Sequence, residues 1–200
     1  MFAALHQPQK RSRLALFLLL LPVAHGQTAA QRLVAGANAQ IGVTVRYDPA
    51  YRTIAFPGGD VPRDRGVCTD VIIRAYRSIG IDLQKLVNDD ERANFSAYPH
   101  HGWLNRPDTN IDHRRVKNLA VFFRRHGETL PLSSRAQDYL PGDIVVWKLP
   151  GGLDHIGLVS EEKRGGRPWM VHNIGDGAQR EDVLFAYEIT GHYRYLPGSR

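Results

Sequence analysis

Three side chains in this 200-residue chain have the types needed for nucleophilic acyl chemistry. Cys68 is the only cysteine, and two histidines stand in apolar, strand-like surroundings: His155 in Leu153-Asp154-His155-Ile156-Gly157-Leu158-Val159, and His172 in Met170-Val171-His172-Asn173-Ile174-Gly175. The run Arg65-Gly66-Val67-Cys68-Thr69-Asp70-Val71-Ile72 reads as a tight turn that delivers the thiol onto the first turn of a helix. There the unpaired backbone N–H groups and the helix dipole favour a thiolate and offer donors to an oxyanion. What the thiol lacks locally is a base. If the two histidine strands are neighbours, His155 takes the proton of Cys68, and His172 or Asn173 fixes the His155 ring through its second nitrogen. Successive strand residues face opposite sides, so only one of His172 and Asn173 can point at His155. Cysteine, histidine, then a polar orienter is a thiol-hydrolase order. The plainer reading of Cys68 is a small buried hydrophobe. Asp70 complicates the chemical one, because its charge favours the helix N-terminus but opposes thiolate formation next door.

The start of the chain reads as an export signal. Lys10, Arg11 and Arg13 form a positive segment, Leu14 to Ala24 is an apolar run, and Ala24-His25-Gly26 places small residues before a cleavage point at Gln27. That run is too short to span a bilayer, no cysteine follows it to carry a lipid, and no later stretch approaches the ~18 apolar residues of a membrane helix. An uncleaved N-terminal anchor is the competing reading. We therefore expect a signal at 1–26, one domain at 27–200, and a soluble mature protein that is periplasmic or secreted. In such an oxidising compartment a lone thiol has no disulfide partner and needs another reason to exist. Removing 1–26 takes away three basic residues and no acidic one, so 174 residues remain and the formal net charge falls from +6 to +3. That mild excess suits an anionic polymer such as a cell wall. The basic residues are scattered and no nucleic-acid motif accompanies them, so nucleic acid is not an expected partner. Arg114-Arg115 and Arg124-Arg125 read as the solvated face of one helix. The nine histidines show no His-x-His or His-Glu-x-x-His spacing, which disfavours a metal hydrolase. The thiol chemistry needs no metal or organic cofactor.

The elements that must position these groups follow from periodicity. Leu33, Val34, Ala37 and Ile41 predict a short amphipathic helix over 30–41 that ends at Gly42. Residues 43–66 have no sustained period and are punctuated by Pro and Gly, so a structured loop is expected. Val71, Ile72, Ala75, Tyr76 and Ile79 predict a helix from Cys68 to Ser78, stopped by a left-handed Gly80. Asp82 caps a further helix through Leu83, Leu86, Val87 and Ala93, with loop over 99–111. Val116, Leu119, Ala120 and Phe123 predict a helix over 112–126 that stops at Gly127. After Pro141-Gly142 the period becomes that of strands: 143–148, 155–160, 169–173, a short piece near Val183, and 191–196. Helices first and strands later argue for an α+β domain with an antiparallel sheet.

With the elements placed, Gln40-Ile41-Gly42, Tyr47, Cys68-Thr69, Ser78-Ile79-Gly80-Ile81, Pro141-Gly142-Asp143-Ile144-Val145, His155-Ile156-Gly157-Leu158-Val159 and Val171-His172 together resemble the NlpC-type cell-wall peptidases of the papain-like superfamily. More closely, Gly59-Asp60-Val61-Pro62, Gly66-Val67-Cys68-Thr69-Asp70-Val71 and Asn110-Ile111-Asp112-His113-Arg114-Arg115 resemble a YijF-like family of exported bacterial proteins of unknown function. The resemblance implies a papain-like fold, with Cys68 as nucleophile, His155 as base and His172 as orienter. It also implies that Tyr47 lines the substrate site and that Asp143 is structural. Asn173 stays as a further substrate contact or as the rival orienter. The family pattern Asp-Cys-Ser-Gly is replaced here by Val67-Cys68-Thr69-Asp70, so the acid follows the thiol instead of preceding it. The segment 88–139 is longer than the family requires and is expected to wall the groove, with Trp103, Arg106 and His113 as contacts. The implied activity is hydrolysis of an amide or peptide bond in peptidoglycan. The alternatives are a wall-binding module without turnover and a thioester or acyl-transfer enzyme.

Overall fold

Helix formation begins with a reciprocal cap. In this computed structural model, which describes residues 27–99 and 105–196, Thr28 Oγ1 accepts the Gln31 N–H and Gln31 Oε1 accepts the Thr28 N–H. This box opens α1 (Ala29–Asn38), whose Leu33, Val34 and Ala37 are buried. The expected signal at 1–26 and Trp103 lie outside the described residues. The loop expected after α1 contains two short strands, β1 (Arg46–Tyr47) and β2 (Arg65–Gly66), paired in parallel with Tyr47 opposite Gly66. Two-residue strands have no period to read.

α2 (Cys68–Ser78) has the predicted limits, and Gly80 has the predicted left-handed backbone, φ +83°. The apolar stripe understates its burial. Cys68, Thr69, Asp70, Val71, Ile72, Ile73, Ala75 and Tyr76 are all buried, so 68–73 are enclosed without a break and Arg74 is the first residue of the helix to reach the surface. α3 (Leu83–Ala93) starts from Asp82, whose carboxylate accepts the Gln84 N–H.

The single helix expected over 112–126 is broken. Asp112–Arg114 forms a 3-10 turn, Arg115 is extended (ψ 125°), and α4 (Val116–His126) follows. The break comes from Arg114, which is drawn inward to a buried carboxylate instead of lying on a solvated face. Gly127 does end α4, but with extended backbone (φ −113°) and not as a left-handed cap. Glycine is needed there for space, because a Cβ would stand 2.6 Å from the Arg194 carbonyl oxygen.

The strands β3 (Glu128–Thr129), β4 (Ile144–Lys148), β5 (Asp154–Arg164), β6 (Arg167–His172), β7 (Gln179–Glu181) and β8 (Glu188–Arg194) form one antiparallel sheet in the order β3-β8-β4-β5-β6-β7. No strand forms at Val183. The short strand lies earlier, at β7, and the chain after it folds under the sheet, where the Leu184 carbonyl accepts the Trp147 indole N–H at 3.0 Å.

Alternation divides the sheet residues between two cores. Ile144, Val146, Ile156, Leu158 and Val171 face the helices, whereas Val145, Trp147, Val159 and Met170 face Tyr139 and Leu184 on the other side. A sheet covered on both faces explains why β4 reads as a continuous apolar run. The expected α+β class, helices packed on an antiparallel sheet, describes this arrangement.

Asp143 anchors the sheet. Fully buried, it accepts the Leu140 N–H (2.9 Å) and both Arg194 Nε (2.7 Å) and Nη2 (2.9 Å), and it lies 2.9 Å from His192 Nε2. It thus ties the entry of β4 to β8 and is structural. Removing one partner of a buried ion pair leaves the other uncompensated. Asp143→Ala should cost about 3–5 kcal/mol, read as a lowered urea midpoint with an unchanged m-value.

Candidate active site

The first turn of α2 is built around a carboxylate. Asp70 folds back to accept the Val67 N–H at 2.7 Å, satisfying one of the orphan donors at the helix start. The side chain crosses Gly66 so closely that a Cβ there would meet Asp70 Oδ2 at 2.8 Å. Its charge is answered by Arg114, whose Nε and Nη2 donate to Oδ1 at 2.9 Å and Oδ2 at 2.8 Å. Both side chains are almost completely buried. Arg114 also donates to the carbonyls of Ala50 (3.3 Å) and Asp48 (3.4 Å), and Thr69 Oγ1 donates to the Arg114 carbonyl at 2.9 Å. The expectation that Arg114 is a solvated helix residue is therefore corrected: a buried carboxylate needs a bidentate cation, and Arg supplies one.

Around this clamp lies a cavity of about 170 Å³ lined by Tyr47, Pro49, Val67, Cys68, Ile111, Arg114, Val116 and Asp154. Tyr47 is held beside the thiol by the β1–β2 pairing, with its ring partly exposed. Its phenol is raised above the ordinary value by burial first, then by Cys68 and Asp70. Part of the 88–139 segment does wall the cavity, through Ile111, Arg114 and Val116. Arg106 and His113 do not line it. Arg106 is exposed, and His113, the middle residue of the 3-10 turn, is buried.

Cys68 itself is 4% exposed. Burial pushes its thiol up to about 12, and the Asp70 charge adds to this, while the backbone N–H groups of Ile156, Thr69 and Cys68 pull the other way. The thiolate favoured by the helix start is thus outweighed at rest by desolvation. Ile156 directly follows His155, so the thiol abuts the start of β5. Cys68 and His155 share no hydrogen bond in this resting geometry.

His155 and His172 are brought together. His155 Nε2 lies 2.8 Å from His172 Nδ1, and the rings meet edge to face with centroids 5.1 Å apart. Trp147, opposite His155 on β4, stacks on His155 at 5.6 Å. Gly157 makes this possible: a Cβ there would stand 2.9 Å from Trp147 Cζ3 and 3.2 Å from His172 Cβ. Burial, and secondarily the neighbouring His172, bring His155 down to about 3. His172 is also lowered by burial, with Glu181 opposing. Glu181 Oε2 approaches His172 Nε2 at 3.0 Å, oblique to the ring's N–H direction.

Asn173 is corrected as a substrate contact and as an orienter. It is fully buried on the opposite side of β6 from His172, donating to the Gly66 carbonyl at 3.0 Å and accepting the Gly175 N–H at 3.2 Å. It straps the end of the sheet to the turn before Cys68. Reading by sequence missed Arg114, Trp147 and Glu181. Only for Trp147 was there a local signal, an aromatic residue on a strand whose neighbour carries a histidine followed two places later by glycine. Among the described residues, no group of three or more His, Cys, Asp or Glu could hold a metal ion.

Two outcomes follow. Asp70→Asn keeps the hydrogen bond to Val67 but strands the Arg114 charge, and should cost about 3–5 kcal/mol in urea unfolding. The neutral, buried histidines also set an acid limit. His113 is brought down to about 4, chiefly by burial, and His155 to about 3. The unfolded chain takes up protons near the ordinary value of about 6.5, so below that pH it binds more protons than the folded one. Stability present above about 6.5 is then lost as pH falls towards 4. Thermal scans should show a falling Tm over this range, and His113→Gln should make the decline shallower.

Comparison with known proteins places these features in a family. A model described as "Domain of unknown function (DUF1287)" matches residues 34–195, which include Tyr47, Cys68, Arg114, His155, His172 and Glu181. The chain is 58% identical over 162 residues to "Uncharacterized protein YijF" of Escherichia coli (strain K12), covering 80% of this chain and 79% of that protein. Among solved structures, NlpC1 from Trichomonas vaginalis matches with 17% identity and a TM-score of 0.47, over 86% of this chain and 46% of that one. By the family model and the YijF relative, this chain belongs to the DUF1287 family.

Proposed function

We propose that the protein is an exported thiol hydrolase that cleaves an amide or peptide bond in peptidoglycan. The observation that carries this reading is the His155–His172 contact at 2.8 Å on strands of which β5 reaches the first turn of α2, the backbone N–H of Ile156, the residue after His155, lying against the Cys68 thiol. We assign Cys68, His155 and His172 as the thiol, base and orienter of an acyl-transfer site, with His155 Nδ1, the nitrogen not engaged by His172, as the base atom.

The sulfur of Cys68 attacks the carbonyl while His155 takes the thiol proton. Burial raises the thiol and lowers the imidazole, so both begin neutral and proton transfer accompanies attack. Backbone N–H groups at the start of α2 receive the developing oxyanion. His155 then returns its proton to the leaving amine, and water resolves the acyl-enzyme. Tyr47, on the cavity rim beside the sulfur, contacts the bound substrate. The Asp70–Arg114 pair keeps the acid's charge from opposing the nucleophile at full strength. Peptidoglycan is supported by the resemblance to NlpC-type peptidases and by the mildly basic composition; export is supported by the character of residues 1–26.

A wall-binding module is the second reading, and the deep burial of Cys68 is the observation that favours it. Purified peptidoglycan separates the two. The wild-type protein should release soluble fragments, and Cys68→Ala and His155→Ala should each lower the rate by about 10²–10⁴ or more. Retention on the polymer without fragment release, or undiminished release by Cys68→Ala, would overturn the hydrolase reading.

A further inference from the structure

Glu181 continues the line of the two histidines outward. β7 pairs with β6 so that Met170 is opposite Glu181 and His172 opposite Gln179. Glu181 therefore shares a face with Gln179 and sits diagonally across from His172, within reach of a long side chain. Its Oε2 is 3.0 Å from His172 Nε2, and His172 Nδ1 is 2.8 Å from His155 Nε2. The groups facing the His172 ring are His155 from β5, Trp147 from β4 and Glu181 from β7. The other charges near this edge are paired with one another, Arg180 with Glu162 and Arg167 with Asp182.

We infer that Glu181 is a positioning residue that fixes which nitrogen of each histidine carries the proton, and so leaves Nδ1 of His155 as its basic nitrogen. An ionised carboxylate can only accept. The carboxylate's field at 3.0 Å favours the proton on the nearer nitrogen, His172 Nε2, even at an oblique approach, and in the neutral ring Nδ1 becomes an acceptor. His155 Nε2 must hold a proton to meet it, which leaves Nδ1 of His155 as the basic nitrogen. The opposite arrangement, with His172 Nδ1 protonated, would place the His155 proton on Nδ1 and disable it as a base. When Nδ1 takes the thiol proton, the charge on His155 is shared through His172 towards Glu181. No proton is lost from the set. Glu181 is 45% exposed, so its role is electrostatic and directional rather than one of packing.

The relay rests on the hydrolase reading for its purpose, but its test does not. The ¹⁵N shifts of the histidine rings report the tautomer directly. In wild-type protein His172 should be the Nε2–H form and His155 should carry its proton on Nε2. Glu181→Gln, whose amide oxygen still accepts, should keep both tautomers, while Glu181→Ala should shift His172 towards Nδ1–H. In the same samples the rate of Cys68 alkylation by iodoacetamide near neutral pH should fall about tenfold in Glu181→Ala and less in Glu181→Gln. Tautomers unchanged in Glu181→Ala, or changed without any change in alkylation, would overturn the inference. Tautomers and alkylation that behave as expected in a protein releasing no peptidoglycan fragments would uphold the relay and sink only the proposed substrate.

Discussion

The walls of the cavity hang on one buried ion pair. Asp70 and Arg114 join the start of α2 to the 3-10 turn before α4, and through the Ala50 and Asp48 carbonyls Arg114 also holds the loop after β1. Tyr47, Pro49, Val67, Cys68, Ile111 and Val116 all lie on segments fastened to this pair. The pair is expensive to desolvate, and a hydrophobic replacement of equal volume could stabilise the fold as well or better. What an apolar contact could not do is hold three irregular segments at fixed angles, since dispersion has no direction and a guanidinium fork does.

The pair also answers the structural question posed by an acid two residues after the cysteine. Left alone in the first turn, Asp70 would add its charge to the desolvation that already disfavours a thiolate. Bound to Arg114 and to the Val67 N–H, it is held in place to shape the turn, and its charge still adds to the raising of the thiol. The acid that precedes cysteine in the NlpC-type pattern is missing here. This chain stabilises the turn that carries Cys68 by another route, with the acid inside the helix and its cation 44 positions away.

Much of the fold was legible because its signals were local. α2 could be bounded to the residue, since an apolar stripe ended at a glycine with left-handed backbone. The α+β class followed from a change of period at Pro141-Gly142. The errors occurred where tertiary partners overruled local pattern. Arg114-Arg115 looked like a charged helix face, and only the distant Asp70 reveals that one of the two is core. The strand placed near Val183 belonged to Gln179–Glu181, because Leu184 is committed to the Trp147 indole. In the site, Cys68, His155 and His172 stood out by type and context. Glu181 did not, because a single acid on a three-residue edge strand has nothing in its neighbours to mark it. The choice between His172 and Asn173 needed the register, which sends one side chain to His155 and the other to Gly66.

The Asn173 strap has a bearing on the order of assembly. The turn before Cys68 is latched by a residue 107 positions later, at the end of β6. A chain that emerges from a narrow channel with its N-terminus leading presents its thiol long before it presents the strand that latches it. Until β5 and β6 have joined the sheet, the turn before Cys68 lacks its strap and the thiol lacks the burial that raises it, so it behaves as an ordinary thiol on a nascent chain. A chain truncated before Asn173 would therefore keep its thiol and lack the strap on the turn that presents it.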